Sequence, residues 1–291
     1  MDDVAAISGR SCFSVIKTDG TLWAWGGGLS EDSENMEPIY MLDDVIAVSS
    51  NRWHGLALRS DHSLWAFGSN AYGAVGDGSE EDRTEPVHIM DDVVDIWTMD
   101  SFSCAIKADS TLWRWGDYGR EDIVRTPQCV DEGVTDVWGY SQHILYKLAD
   151  GTLRYISNVD ILDVEWYIEE DPESCGGILN IPDVRLAADG DEFVVVLKED
   201  DTLWGWGSNS DYTLGIGEVK DVIDPVQVMD SVEYVTVGGN SRQYHTAAVK
   251  TDGSLWVWGC NENGELGTGI CDYDVHTTPE CVMENIMLPQ E

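Results

Sequence analysis

Histidines are the first residues to consider for chemistry, because an imidazole can act as a general base or a metal ligand near neutral pH. The chain has six histidines, and His54, His143 and His245 fall at corresponding points of a repeat. Corresponding points of separate repeats lie far apart, so these three rings do not form one catalytic centre. The sequence also lacks a nucleophile elbow, a His-Glu-x-x-His helix and a phosphate-cradling glycine loop. We therefore expect a non-enzymatic protein without a cofactor.

Cysteines and acidic runs are the next candidates, as ligands for metal ions. None of the cysteines stands in a Cys-x-x-Cys pair, which favours small buried hydrophobic residues over a disulfide framework or a zinc site. The seven cysteines are Cys12, Cys104, Cys129, Cys175, Cys260, Cys271 and Cys281. The runs Glu80-Glu81-Asp82 and Glu169-Glu170-Asp171 lack the alternating spacing of a calcium loop and read as solvated loops. The sequence therefore predicts no metal site.

The charge balance restricts the class of partner. With 16 basic and 55 acidic residues the formal net charge is −39. Such a charge repels phosphate backbones and anionic membranes, so we expect no direct nucleic-acid or membrane binding. It is compatible with a basic protein partner, with solubility alone, or with adaptation to high salt. We expect a monomer.

Targeting signals are not visible. No segment has the 18 or more apolar residues of a membrane helix, and the N-terminus has no basic region followed by an apolar stretch. This favours a cytoplasmic protein, unless the chain is a piece of a longer secreted or surface protein.

One segment recurs six times and identifies the elements that must position any site. Its copies begin at Thr21, Ser63, Thr111, Thr152, Thr202 and Ser254, and most read Leu-Trp-x-Trp-Gly after that residue. The starts are 42, 48, 41, 50 and 52 residues apart. A period of about 40 to 50 residues with alternating aromatic residues is typical of β-propeller blades.

Each repeat predicts four short strands. The first carries Val-x-x-Val, as in Val45 and Val48; the second ends near a Lys or Arg; a tight Asp-Gly-like turn leads to the Trp strand. A looser loop then leads to a last strand that begins at a proline, at Pro38, Pro86, Pro127, Pro225 or Pro279. The fourth repeat has lost both Trp and the Gly, and Pro182 marks its last strand. Drift or a partner-shaping insertion would explain that repeat.

The predicted fold class is therefore all-β, a single propeller domain over residues 1–291 built of four-stranded antiparallel blades. Six repeats are readable, near residues 1–42, 43–90, 91–131, 132–181, 182–230 and 231–291. Met1-Asp2-Asp3-Val4 matches Met90-Asp91-Asp92-Val93, and Met283-Glu284-Asn285-Ile286 begins the same motif again. Six units with matched ends can close into a ring; a longer chain cut at a repeat boundary is the alternative.

The repeat resembles the regulator-of-chromosome-condensation (RCC1-like) family, including its bacterial-type members. The resemblance rests on Asp-Gly-[Thr/Ser]-Leu-Trp-x-Trp-Gly, followed by Ser/Cys-Asn-x-x-Gly-x-Leu-Gly-x-Gly and the proline-led strand. It covers essentially the whole chain and implies a propeller, usually of seven blades. Some members of the family are exchange factors for a small GTPase that dock on histones. Others bind microtubule-related or ubiquitin-pathway proteins, and a bacterial relative inhibits β-lactamase with its loops.

The loops that vary between repeats are the candidate binding surface, since repeated residues build blades. We expect the loops between first and second strands to ring one mouth of a propeller, although single rings could instead pack between blades. These loops carry Arg and aromatic residues, which are enriched at binding hot spots. The candidates are Arg10, Phe13, Arg52, Trp53, His54, Phe102, Tyr140, His143, Arg242, Tyr244 and His245.

The sequence thus predicts a protein–protein interaction scaffold that binds through loops at one mouth. Two alternatives stay open: an exchange-factor-like regulator of a small GTPase, and a structural module of a larger secreted or surface protein.

Overall fold

The structure is a computed structural model that describes most of the chain. The described residues are 3–26, 29, 37–117, 123–140, 143–157, 170–171, 176–179, 181–190, 193–239, 243–271 and 276–288. They form strands, turns and bends, grouped into six antiparallel sheets. None of these residues belongs to a helix long and apolar enough to cross a membrane.

Strand order follows the chain in every sheet but the fourth, where the last strand in sequence lies between the two strands before it. The first sheet is β1 (Val4–Gly9), β2 (Cys12–Lys17), β3 (Leu22–Gly26) and β4 (Ile39–Leu42). The second is β5 (Val45–Ser50), β6 (His54–Arg59), β7 (Leu64–Gly68) and β8 (Arg83–Met90). The third is β9 (Val93–Thr98), β10 (Phe102–Lys107), β11 (Leu112–Gly116) and β12 (Val124–Asp131).

The fourth sheet has five strands, β13 (Val134–Tyr140), β14 (His143–Leu148), β15 (Leu153–Ser157), β16 (Glu170–Asp171) and β17 (Gly176–Leu179). The fifth is β18 (Val184–Asp189), β19 (Phe193–Lys198), β20 (Leu203–Gly207) and β21 (Val222–Met229). The sixth is β22 (Val232–Gly238), β23 (His245–Lys250), β24 (Leu255–Gly259) and β25 (His276–Met283). The chain divides into two compact units, residues 1–135 and 136–291. The first three sheets lie in the former; the fifth, the sixth and nearly all of the fourth lie in the latter.

The hairpin between second and third strands shows why the repeat folds as it does. The residue after the turn Asp has positive φ in all six copies, whether it is Gly20, Gly151 and Gly253 or His62, Ser110 and Asp201. In the first sheet the Asp19 carboxylate accepts from the Thr21 amide at 3.0 Å and its hydroxyl at 2.6 Å. The Trp23 indole then donates to that hydroxyl at 3.1 Å. The predicted Asp-led turn is confirmed, and it anchors the first Trp of the motif.

Apolar side chains between successive sheets form the core. In the first unit, Val93 and Ile96 of β9 pack with Leu58 and Leu64 of the second sheet. In the second unit, Val232 and Val235 of β22 pack in the same way with the fifth sheet. In the third and sixth sheets, the Val-x-x-Val pair is therefore covered by the sheet before it.

Four of the five predicted prolines lie inside the last strands rather than at their starts, which corrects the sequence prediction; Pro38 directly precedes β4. Pro86, Pro127, Pro225 and Pro279 are each the fourth residue of their strand. Pairing with the third strand shifts there, for example between Ala66 and Gly68, so the missing N–H falls where the ladder is irregular. Pro182 follows β17 in the link to β18, so it does not mark the last strand of the fourth repeat.

The cysteines divide into two groups. Cys12, Cys104 and Cys260 are buried free thiols, as predicted. For Cys129, Cys271 and Cys281 the prediction of burial is wrong, because their side chains are exposed at or near last strands. Cys175 lies outside the described residues.

Candidate functional site

Two loops of the second sheet place exposed aromatic side chains at one end of that sheet. Loops that follow first and third strands emerge at the same end of an antiparallel sheet. The β5–β6 loop carries Trp53, 43% exposed, and the β7–β8 loop carries Tyr72, 52% exposed. The two loops are joined, since the Ser69 amide donates to the Trp53 carbonyl at 2.9 Å. We call this end of the second sheet the loop end.

An arginine stacks on the exposed tryptophan. The guanidinium of Arg52 lies 4.8 Å from the centre of the Trp53 ring, a cation–π contact. Within the described part of the chain, Arg52 pairs with no carboxylate. Nearby arginines differ: Arg59 pairs with Asp44 at 3.1 Å and Arg125 pairs with Glu80. In a chain with 55 acidic residues, a solvent-facing arginine on a tryptophan is available to a ligand.

A buried asparagine fixes the loop beneath this pair. The Asn51 side-chain oxygen accepts from the Trp53 amide at 2.7 Å and the His54 amide at 3.0 Å. Its backbone carbonyl accepts from the amides of Arg10 and Cys12, at 3.3 and 3.1 Å, so the first sheet holds the loop as well. Its side-chain amide donates to the Met99 carbonyl of the third sheet. The loop is therefore held by three sheets, which lowers the entropy lost when Trp53 binds.

Asn51, His54 and Ser103 superficially resemble a nucleophilic triad. The His54 Nε2 lies 2.8 Å from the Ser103 hydroxyl, and the Asn51 amide lies 3.3 Å from its Nδ1. The Ser103 hydroxyl donates to the Ala74 carbonyl at 2.8 Å, and all three side chains are buried. Burial also lowers the pKa of His54 to about 3, so the ring is neutral. This chain of hydrogen bonds ties the second sheet to the third and gives a substrate no access.

The β7–β8 loop is locked onto the third sheet. Asn70 is fully buried; its side-chain oxygen accepts from the Val75 amide at 2.9 Å and its amide donates to the Ser79 carbonyl at 3.0 Å. The loop carbonyl of Ala74 accepts from the Trp115 indole at 2.8 Å. At Gly76 (φ 87°) an added Cβ would lie 2.5 Å from that indole, so only glycine fits.

The same lock recurs in the second unit. Asn209 accepts from the Leu214 amide at 2.9 Å, and the Thr213 carbonyl accepts from the Trp258 indole at 2.7 Å. Gly215 approaches the Trp258 ring as Gly76 approaches Trp115. The Asn-x-x-Gly-x-Leu-Gly motif thus joins neighbouring sheets. Only its exposed positions, such as Tyr72, are free to contact a ligand.

The remaining predicted site residues lie in several environments. Arg10 is exposed in the β1–β2 loop, whereas Phe13 lies within β2 and stacks on Trp25 at 5.7 Å. Phe102 and Tyr244 are buried, and Tyr244 contacts Phe193 edge-to-face at 5.8 Å. His245 is half-buried, and burial lowers its pKa.

The side chains of three predicted site residues lie outside what the structure describes. Tyr140 ends β13 and His143 begins β14, with no description of their side chains. Arg242 lies outside the described residues. The structure therefore brings Arg52 and Trp53 together on an accessible surface and uses His54, Phe102 and Tyr244 for packing.

Tyr72 and Asn51 are the residues that sequence reasoning missed. Tyr72 stands in a loop whose equivalents keep the later glycines, Gly215 and Gly267, but have Asp211 and Asn263 at this point. That variation was the available signal. For Asn51 the sequence offers no signal, because its role depends on carbonyls and amides of neighbouring sheets. Across the described residues, no three His, Cys, Asp or Glu side chains are grouped so as to hold a metal ion.

Family models of the regulator of chromosome condensation (RCC1) repeat match residues 45–74 and 243–265, and residues 61–106. The RCC1 domain-containing mitochondrial protein RUG3 of Arabidopsis thaliana is 24% identical over 296 residues, 89% of this chain and 55% of that protein. The secretion-regulating guanine nucleotide exchange factor of Bos taurus is 37% identical over 82 residues, 26% of this chain and 17% of that protein.

The fold is that of a solved relative. The structure of Prp20p from Saccharomyces cerevisiae, described with its binding to Gsp1p and histones, superposes with a TM-score of 0.74. It is 16% identical and the match covers 97% of this chain and 77% of that one. The curated relatives are longer, since the chain spans 17% and 55% of the two named above. The repeated Trp motif and these matches show that the chain carries repeats of the RCC1 type, and the superposition shows the fold of the RCC1-like β-propeller proteins.

Proposed function

We propose that the protein is an interaction module that binds a partner protein through the loop end of the second sheet. One observation carries the proposal: Arg52 stacks on exposed Trp53 and has no carboxylate partner among the described residues. Tyr72 extends the surface at the same end. Arg, Trp and Tyr are the residues that dominate binding energy in protein interfaces.

The rigid position of Trp53 and the chemistry of the Arg52 side chain both favour binding at the loop end. A tryptophan held by Asn51 buries a large apolar area in a partner pocket at little entropic cost. The guanidinium can form a bidentate bond with a partner carboxylate, which strengthens as the pair is desolvated. The net charge of −39 favours a partner that is basic overall, because it steers such a partner by long-range attraction.

Site-specific photo-crosslinking tests the proposal directly. A photoreactive phenylalanine at position 53 should capture one partner from cell extract. The matched control is position 40, where Tyr40 of β4 is 50% exposed but stands within a strand. Capture at both positions alike, or at neither, would argue against a site at the loop end. The purified partner should then lose about 30-fold in affinity for Trp53→Ala, corresponding to about 2 kcal/mol.

A second candidate function is nucleotide exchange on a small GTPase. It is favoured by the exchange-factor relative, whose similarity covers 26% of this chain. Members of the family are mostly regulators that act by binding, so exchange would also proceed through protein contacts and not through a catalytic side chain. A nucleotide-release assay with purified GTPases separates the two candidates: acceleration that is lost in Trp53→Ala supports exchange, and an unchanged release rate removes it.

A further inference from the structure

A β-bulge near the start of the first strand brings the two residues of Val-x-x-Val to one side of the sheet. Residues three apart in a regular strand point to opposite faces. In β9 the register with β10 shifts between Val93 and Asp95, so Val94 is the extra residue of a bulge. Val93 and Ile96, 0% and 6% exposed, therefore share the covered side. The side chain of Val94 is left outside.

The same register shift occurs at the same point of four other first strands, β1, β5, β18 and β22. Their extra residues are Ala5, Ile46, Arg185 and Glu233. The two in the second unit are charged, as is usual for side chains that face water. In the first unit, Ile46 is 55% exposed and Val94 is 45% exposed. Two of these bulges thus present a large β-branched apolar side chain to solvent.

Ile46 and Val94 occupy equivalent places on neighbouring strands of the first unit. β5 and β9 lie side by side. Their far ends are joined, since the Thr98 amide donates to the Ser49 hydroxyl oxygen at 3.0 Å. First strands begin at the end of the sheet opposite to the loop end, because neighbouring strands are antiparallel. We call Ile46 and Val94 the bulge pair.

The bulge pair stands in negatively charged surroundings. Each of its residues closely follows two aspartates, at positions 43 and 44 and at positions 91 and 92. One aspartate of each two has a cation near it, Arg59 at 3.1 Å and Lys107 at 3.9 Å. Four carboxylates therefore face two cations here. A ligand that covers the bulge pair meets a surplus of negative charge.

We propose that the bulge pair is a second docking surface, which takes a lysine- or arginine-bearing segment of a partner protein with an apolar residue placed against Ile46 and Val94. Charge complementarity identifies this occupant. A wholly apolar segment would desolvate the aspartates without pairing them. A second copy of the chain is disfavoured, because each copy carries a net charge of −39. The surface lies at the end away from Trp53, so the proposal does not depend on the function proposed above.

Peptide binding tests the apolar part of the surface. We expect a fluorescently labelled peptide of alternating lysine and leucine to bind the full chain at about 0.15 M salt, where general attraction is screened. The double variant Ile46→Ser with Val94→Ser keeps the net charge and should raise the Kd about tenfold, because it removes two apolar contacts. Val219→Ser is the matched control, since Val219 is 58% exposed but lies in the second unit. It should stay within twofold of wild type. An unchanged Kd in the double variant would overturn the proposal.

Two altered peptides test the charge of the occupant. A peptide of lysine and serine should bind wild type and the double variant equally weakly, and one of glutamine and leucine should not bind measurably. Binding of either peptide to wild type as tightly as the lysine–leucine peptide would contradict the proposal. Self-association of the chain in sedimentation that Ile46→Ser abolishes would identify a second copy as the occupant and also overturn it.

Cross-linking locates the peptide without any substitution in the chain. Both serine variants should keep the thermal midpoint within about 2 °C of wild type, because the side chains are exposed. If either variant fails to fold, a photoreactive lysine–leucine peptide on the wild-type chain decides the question. We expect cross-links, mapped by mass spectrometry, in β5 and β9. Cross-links spread over the acidic turns of both units, without enrichment in these strands, would contradict the proposal.

Discussion

Trp115 in β11 and Trp53 in the β5–β6 loop show two uses of one residue type. Trp115 is fully buried, repeats in other sheets, and donates to the carbonyl of a loop from the preceding sheet. Trp53 is exposed, is not a tryptophan in the other repeats, and carries an arginine on its ring. The comparison teaches that repetition marks the residues that join sheets, and that departure from the repeat on a rigid loop marks a binding residue.

The largest expected effect is on Trp115. Trp115→Ala should lower the free energy of unfolding by about 3–5 kcal/mol, since it leaves a cavity and removes one of the two hydrogen bonds to the Ala74 carbonyl. Denaturant unfolding followed by circular dichroism measures this. Trp53→Ala is the matched control and should lie within about 0.5 kcal/mol of wild type. Similar losses for the two variants would remove the distinction between them.

Asn70 tests the same inter-sheet contact through the loop, because it holds the loop whose Ala74 carbonyl accepts from Trp115. Asn70→Ala leaves the Val75 amide and the Ser79 carbonyl without partners and should cost about 1–3 kcal/mol. Asn263, an exposed asparagine in the equivalent loop of the sixth sheet, is the control and should cost less than about 0.5 kcal/mol as alanine. An equally stable Asn70→Ala would mean that the lock is not needed.

The pH dependence of stability tests the buried chain through His54. Its pKa is lowered to about 3 by burial, so between pH 6.5 and 3 the unfolded state binds more protons. Stability that is present above pH 6.5 should therefore be lost as the pH falls. His54→Gln should flatten this slope between pH 6.5 and 4.5, leaving the smaller share from His245, whose pKa is lowered in the same direction. A slope identical to wild type would show that His54 does not supply it.

The turn aspartates affect the stability at lower pH than His54 does, so they provide an internal check on the pH dependence assigned to His54. Hydrogen bonds from Thr21 lower the pKa of Asp19, and the other turn carboxylates follow the same rule. Their contribution is present above their usual pKa and is lost only below about pH 4. Asp19→Asn should therefore leave the slope above pH 5 unchanged.

Much of the fold could be predicted from the sequence because it depends on local patterns. The Asp-led turn, the alternating Trp strand and the buried Val-x-x-Val pair are each contained in a few residues, so six sheets were readable. The prolines were misplaced by three residues, because the start of β8 depends on irregular pairing with β7. Sequence pattern therefore gives strand identity more reliably than strand ends.

The candidate site was only partly predictable. Arg52 and Trp53 could be found as Arg and aromatic residues of the variable loops, but His54, Phe102 and Tyr244 were found in the same way and are buried. What separates the two groups is contact with neighbouring sheets, such as Ser103 against His54, and no single repeat contains that information.

The most direct test of the central claim is the affinity of the cross-linked partner for Trp53→Ala, measured by calorimetry beside the unfolding curve of the same sample. The account predicts a Kd raised by about 30-fold with an unfolding free energy within about 0.5 kcal/mol of wild type. A Kd within twofold of wild type, or a loss of affinity that accompanies unfolding, would contradict it.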